Sequence, residues 1–409
     1  MNPLPAGFAG RSLRHPDVDG NEMSRERTRE HGRPARGGAE FRLEEDALFS
    51  SPPLFLRAKT GCLSLAVLAA VACASAGTLI AETGGALTPQ SIRAAAAYSA
   101  AHGGLSLLVI QNGRVIFEQY ANGNSAGQTR KIYSGTKAFW TTAAAAAEQD
   151  GILRLDERAS DTIREWRRDP AKRDITLREL LGFTAGIAPG FALHRGDISD
   201  LNSHALKLPV VAPPPGSRFI YGPAQIQIFC EVLRRKLAAR NEAPWSYLDR
   251  RILHPLGLHS VDYLCDTKGS PLLASGIKLT AREWAAFGQM VLGRGTCRDK
   301  KILRPESLEN CLRGSGANPA FGLAFWLNGR AGDPGASEID IEDMLEKDWQ
   351  QQDWRNACIC RDAPADLLAC VGSRAQRLLV IPSLNAVVVR QGAGGPFQDG
   401  RFLRLLLGL

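Results

Sequence analysis

The stretch LSLLVIQNGRVIFEQY, residues 105–120, decides how the folded part of the chain begins. Leu105 to Ile110 is an apolar run rich in strand formers, Asn112-Gly113 supplies the positive φ angles of a two-residue hairpin turn, and Val115 to Tyr120 gives the returning strand. Upstream, Thr88-Pro89 opens a short alanine-rich helix expected over 90–101. Downstream, good helix formers run from Ser134 to Ala147 and stop at Asp150-Gly151. From there to about Gly293 the pattern is mainly helical, broken by loops such as APPPG at 212–216. Strand character returns at Phe321–Leu327, Arg377–Ile381 and Ala386–Arg390, with PSLN at 382–385 turning between the last two and a closing helix over Phe402–Leu407. Strands from both ends with helices between them imply an α/β (α+β) protein. An antiparallel sheet domain flanked by helices is expected over 87–133 and 294–409, with an inserted all-helical domain over 134–293.

A chain of 409 residues, 44% hydrophobic and 22% charged, has ample apolar content for a buried core. The net charge of +8 comes from scattered arginines, without a block of like charge, an aromatic-basic module or zinc-finger spacing. Nucleic acid is therefore not an expected partner, and an anionic cell envelope suits the charge better. Residues 1–56 are rich in Arg, Glu, Gly and Pro, a composition that cannot offset its ordering entropy by burial. They are expected to be disordered, or to precede the true start. Arg57 and Lys59, the apolar run from Cys62 to Cys73, and Ala74-Ser75-Ala76 then read as a signal peptide over 57–76. An apolar run of about a dozen residues is shorter than the roughly twenty a membrane-spanning helix needs. The protein is thus expected to be exported, periplasmic or secreted. Ala70-Val71-Ala72-Cys73 also loosely resembles a lipoprotein box, the alternative in which a lipid on Cys73 anchors the protein.

Of nine cysteines, seven follow the leader, an odd number that cannot all pair internally. Cys358-Ile359-Cys360 is not a C-x-x-C pair, and no His/Cys set has zinc spacing, so neither a metal nor another cofactor is expected. The chemistry points instead to Ser134-Gly135-Thr136-Lys137. Residues three apart share a helix face, so the amine of Lys137 can take the proton of the Ser134 hydroxyl, and a helix start favours developing negative charge.

The surroundings of this tetrad resemble the serine β-lactamase-like family, which includes class C β-lactamases, D-Ala-D-Ala carboxypeptidases and esterases. After the hairpin and the tetrad come GILRLD at 151–156 and ITLRELLGFTAG at 175–186, the latter similar to the family's ITLRHLLSHTSG. LLASG at 272–276 before LTAR at 279–282, FGLAFW at 321–326 and the stretch 376–389 continue the resemblance, which spans roughly residues 90–409. It implies a β-lactamase/transpeptidase-like fold and a serine hydrolase working through an acyl-enzyme on a small ester, amide or peptide-like substrate. Ser134 would be the nucleophile. The family's second motif, Tyr-x-Asn or Tyr-x-Ser, matches Tyr221-Gly222-Pro223, which makes Tyr221 the proton shuttle. Pro223 offers no side-chain amide or hydroxyl, a departure that moves the expectation from β-lactams toward esters or simple amides. The third motif, Lys-Thr-Gly or His-x-Gly, corresponds to Gly372-Ser373-Arg374-Ala375-Gln376. The resemblance implies that Ser373, Arg374 and Ala375 line the substrate, with Arg374 offered to a carboxylate. The backbone N–H groups of Ser134 and Gln376 would form the oxyanion hole.

Free lysine titrates near 10.4 and tyrosine near 10, so Lys137 and Tyr221 are expected to act as a coupled pair in activating Ser134. A Gly-x-Ser-x-Gly elbow is absent, and His194 and His259 have no evident partner motif. The acidic run from Glu338 to Glu346 lacks calcium-loop spacing and is expected to be a solvated insertion. Two alternatives remain: a catalytically silent envelope-binding module of the same fold, and a D-Ala-D-Ala carboxypeptidase or β-lactamase.

Overall fold

The computed structural model describes residues 85–194 and 198–409, so the expectations placed on 1–56, on the leader at 57–76 and on Cys73 lie outside the described residues. Helix α1 (Pro89–Ala101) starts with a Thr88/Ser91 capping box and proline in its first turn. The hairpin follows as β1 (Gly104–Gln111) and β2 (Arg114–Tyr120), with Asn112 and Gly113 at φ 51 and 73 in the turn. Helices α2 (Thr136–Gln149) and α3 (Ala224–Ala238) belong to the middle of the chain. Helix α4 (Ala281–Leu292), also in the stretch expected to be all-helical, packs on the sheet. Then come β3 (Trp326–Leu327), α5 (Ile341–Glu346), β4 (Leu368–Gly372), β5 (Gln376–Ile381), β6 (Ala386–Gly392) and the closing α6 (Asp399–Leu407).

Six strands form one antiparallel sheet in the order β2-β1-β6-β5-β4-β3, so the two ends of the chain meet where β1 pairs with β6. Strands β5 and β6 are buried at every position, and β1 at all but the last. Helices on both faces explain why these strands read as continuous apolar runs: α1, packed with α6, covers β1, and α4 lies on β1, β5 and β6. Edge strand β2 alternates less and leaves Val115 and Ile116 exposed.

Two expectations need correcting. Phe321–Leu327 is not a full strand: Phe321 folds back to bridge Trp326 through a loop in which Ala324 takes φ 61, and only Trp326–Leu327 joins the sheet. The acidic run is not a solvated insertion either. Glu338 pairs with Arg404 of α6, Asp340 caps α5, and Glu342 pairs with Arg377 of β5. Burial, with the nearby Asp399 carboxylate adding to it, raises the Asp340 pKa to about 6. The described residues include seven cysteines, six of them buried.

Arg377 and Arg390 lie directly opposite each other on β5 and β6, and both are buried inside the sheet layer. Asp399 receives the Arg377 guanidinium on both carboxylate oxygens, at 2.6 and 3.0 Å. Arg390 donates to Ser99 Oγ and to the carbonyls of Ala375, Ser99 and His102, and stacks over Phe397. Desolvation and the facing Arg377 lower its pKa to about 10. Removing one partner of such a buried pair leaves an uncompensated charge. Asp399→Ala is therefore expected to destabilise the protein by about 3–5 kcal/mol, measured as a lower urea midpoint with unchanged slope. A loss below about 1 kcal/mol would mean that Glu342 alone neutralises Arg377.

Candidate active site

Ser134 stands on a single 3-10 turn, Tyr133–Gly135, just before α2, rather than as the first residue of the helix. Tyr133 takes φ 46, a left-handed conformation that bulky residues avoid and that recurs at functional turns. Gly135 is required by close approach, because a Cβ there would sit 2.6 Å from the Trp284 ring of α4. The turn is tied down on both sides: the Ile132 N–H donates to the Ile277 carbonyl, and the Ile277 N–H donates to Thr136 Oγ1. Helix α2 is buried from Thr136 through Ala147, and its run of alanines lets neighbouring elements pack close to its axis.

One helical turn on, Lys137 is buried with its Nζ 2.9 Å from Ser134 Oγ and 3.0 Å from the Ala274 carbonyl. Burial away from water disfavours the ammonium form and lowers its pKa to about 7. The loop that presents Ala274 is held by Gln227 of α3. Its Oε1 accepts the Leu273 N–H, and its Nε2 donates to the Pro271 carbonyl and to Asn202 Oδ1. Sequence reasoning missed these supports, since a backbone carbonyl has no residue signature and a glutamine in an apolar helix face announces nothing by itself.

Tyr221 completes the group. Its hydroxyl is hydrogen bonded with Ser134, and Lys137 Nζ lies 4.7 Å from the centre of its ring. Burial pushes the phenol well above its ordinary range, the bond with Ser134 opposes this, and the Glu342 carboxylate adds to the rise. Phe183, Phe219, Phe321 and Trp326 pack around the ring at centroid distances of 5.1–6.1 Å. Pro223 introduces α3, and Gln225 bridges Ala185 to the Ile220 carbonyl just ahead of Tyr221.

Residues Ser373, Arg374 and Ala375 form the turn between β4 and β5, so the third motif lies at the end of a strand whose Gly372 reaches the segment before Ser134. Gly372 abuts the segment before Ser134 so closely that a Cβ would meet the Ile132 carbonyl oxygen at 2.1 Å. Ser373 and Arg374 are exposed; Ala375 and Gln376 are buried. The Gln376 side chain is engaged with Gly392 of β6, donating to its carbonyl and accepting from its N–H. The N–H groups of Arg374 and Ala375 both donate to Glu342, at 3.1 and 2.9 Å. His194, for which the sequence offers no partner motif, places Nδ1 3.3 Å from the hydroxyl of Ser275, next to Ala274. His259 pairs with His254 at the surface. One cluster of metal-capable groups occurs among the described residues, Glu338, Cys360 and Asp362, and the Arg404 guanidinium bridges its two carboxylates.

A family model described as Beta-lactamase matches residues 91–347, from α1 into α5. The chain belongs to the beta-lactamase family. Its fold is the β-lactamase/transpeptidase-like one, and solved structures similar to this family member include enzymes of several names. A putative 6-aminohexanoate-dimer hydrolase from Bacillus anthracis aligns at 16% identity over 75% of this chain and 78% of its own, with a TM-score of 0.57. A class C beta lactamase from Rhodobacter sphaeroides aligns at 18% identity over 77% and 97%, TM-score 0.54. A family VIII carboxylesterase aligns at 13% identity over 79% and 97%, TM-score 0.56. At these identities the likeness is one of fold. No curated protein sequence matches the chain significantly. The family match ends before β4, so the turn at 373–375 stands on geometry alone.

The buried Lys137 makes a testable demand on stability. With a pKa near 10.5 in the unfolded chain and about 7 in the folded one, the unfolded state binds the extra proton between those values, so stability rises with pH across that window. Lys137→Met is expected to flatten this rise and to stabilise the protein at pH 7 by on the order of 2 kcal/mol. Urea unfolding of both proteins at pH 7 and 9.5 checks the sign. An unchanged pH slope would mean that the amine stays protonated when buried.

Proposed function

We propose that the protein is a serine hydrolase that forms an acyl-enzyme on Ser134 with a small ester or amide substrate. The observation that carries this is the position of Ser134 between the buried Lys137 amine and the Tyr221 hydroxyl. Neutral Lys137 accepts the Ser134 proton as Oγ bonds to the acyl carbon. Tyr221, held protonated by burial, donates its proton to the departing alcohol or amine and is re-protonated from Lys137. Water then attacks the acyl carbon by the reverse relay, releasing the acid and restoring Ser134. The negative charge of each tetrahedral intermediate falls to the N–H of Ser134 and a second donor from the turn after Gly372. Glu342 occupies the amides of Arg374 and Ala375, which leaves those of Ser373 and Gln376. Gly372 abuts Ile132 and pairs across the turn with Gln376, so both remaining amides stand at the feet of the turn, close to that approach.

Pro223, without a side chain to hold an amide, favours esters and simple amides over β-lactams. The leader-like segment 57–76 supports an exported enzyme, periplasmic or secreted, with a lipid on Cys73 as the anchored alternative. Among the described residues no helix is long and apolar enough to cross a membrane.

Intact-mass analysis after treatment with a fluorophosphonate is expected to show one adduct on the parent and none on Ser134→Ala. Hydrolysis of a p-nitrophenyl ester should show kcat/KM rising through about pH 7 as Lys137 loses its proton. A folded parent that takes no adduct and turns over no ester would replace the hydrolase with a binding module of the same fold.

A further inference from the structure

The turn at Ser373–Ala375 has an unusual construction. Arg374 and Ala375 take φ 65 and 55, two consecutive left-handed residues, neither of them glycine. Residues with a Cβ disfavour that conformation, so a contact that fixes the turn from outside offsets its cost. The structure supplies one group that does so. Glu342 Oε2 accepts the Arg374 N–H at 3.1 Å, and Oε1 accepts the Ala375 N–H at 2.9 Å. Consecutive N–H groups converging on one anion form a small cationic concavity, here filled by the protein's own carboxylate. The same Oε1 accepts Arg377 Nη1 at 2.8 Å, and that nitrogen also reaches the Gly372 carbonyl at 3.3 Å. Glu342 therefore closes a ring that runs through the turn, β5 and the end of β4. The foot of that ring is Gly372, pressed against the Ile132 carbonyl two residues before the nucleophile. Arg377 is locked in turn by Asp399.

We propose that Glu342 is a positioning residue of this hydrolase. Carried on α5, outside all three sequence motifs, it fixes the turn so that a backbone N–H after Gly372 faces the acyl oxygen in the transition state. The motif's usual cation is absent from this chain, and a carboxylate braced by a buried arginine holds the strand end from behind. The role belongs to the transition state because the amides Glu342 binds are not themselves the donors; their capture sets the direction of the neighbouring N–H. Its charge also reaches Tyr221 and favours the protonated phenol. This inference rests on Ser134 being the acyl-forming nucleophile.

The test compares the parent with Glu342→Ala, Glu342→Gln and, as a control on the same helix, the exposed Glu346→Gln. For each, the endpoint of fluorophosphonate labelling counts competent sites, the labelling rate reports reactivity, and p-nitrophenyl ester hydrolysis gives kcat per labelled site and KM. Glu342→Ala is expected to label to completion, but with labelling rate and kcat per site down about 10- to 100-fold and KM within about threefold. Glu342→Gln, which keeps one acceptor oxygen, should fall between it and the parent, and Glu346→Gln should match the parent. If Glu342→Ala does not fold, Glu342→Gln decides. A merely structural role would lower the labelled fraction and leave kcat per labelled site within twofold, which overturns the proposal. A parent that never labels would instead overturn the hydrolase itself.

Discussion

A lysine kept out of water, with no carboxylate beside it among the described residues, is the constraint on which the rest of the site depends. Had Lys137 been given an acidic partner, the ion pair would have held it charged, and it could not take a proton from Ser134 near neutral pH. It is given a carbonyl and a hydroxyl instead. Keeping that environment dry requires the surrounding architecture: α2 is enclosed through Ala147, Trp284 presses on Gly135, and Gln227 holds the loop that delivers the Ala274 carbonyl. The aromatic residues around Tyr221 do the same for the phenol. The elements nearest the chemistry are therefore the most deeply packed ones, and they sacrifice stability to keep an amine neutral.

On the other side of the sheet the protein solves the opposite problem. Arg377 and Arg390 are two cations facing each other across adjacent strands in a buried layer, an arrangement that would repel if left alone. One is neutralised by Asp399 and Glu342. The other is satisfied by carbonyls, a hydroxyl and the face of Phe397. These contacts join α1, α5, α6 and the β4–β5 turn into one charged layer behind the active-site strands. Buried charge is thus handled differently in the two places: Arg377 is compensated by carboxylates, whereas Lys137 is given a carbonyl and a hydroxyl.

The parts of this design that sequence reveals are those carried by local pattern. The hairpin around Asn112-Gly113 declares itself through turn chemistry, and Ser134 with Lys137 through their spacing on a helix. Tyr221 emerged from its place in a motif order. Other features are set by partners far along the chain. Phe321 to Leu327 has strand composition, yet the fold-back of Phe321 onto Trp326 confines pairing to two residues. The acidic run around Glu342 looked solvated because its arginine partners, Arg377 and Arg404, lie beyond it in sequence. His194 meets Ser275 in the same way. Ala274 could not have been singled out at all, since only its carbonyl oxygen takes part.

The sheet's strand order has a temporal side. Ser106 on β1 hydrogen-bonds Gln391 on β6, partners separated by 285 positions, and the turn that carries Ser134 waits for Gly372 to arrive beside it. Such long loops must close before any contact compensates for closing them, which makes assembly slow. During synthesis the first strand emerges with one face of its pairing unmet until nearly the whole polypeptide has been made. Ser134 and Lys137 can share a helical turn early, but the walls that dry and aim them come from the far end of the chain. The fold therefore completes this group of side chains only once the far end of the chain is in place, so a fragment or a nascent chain lacks it.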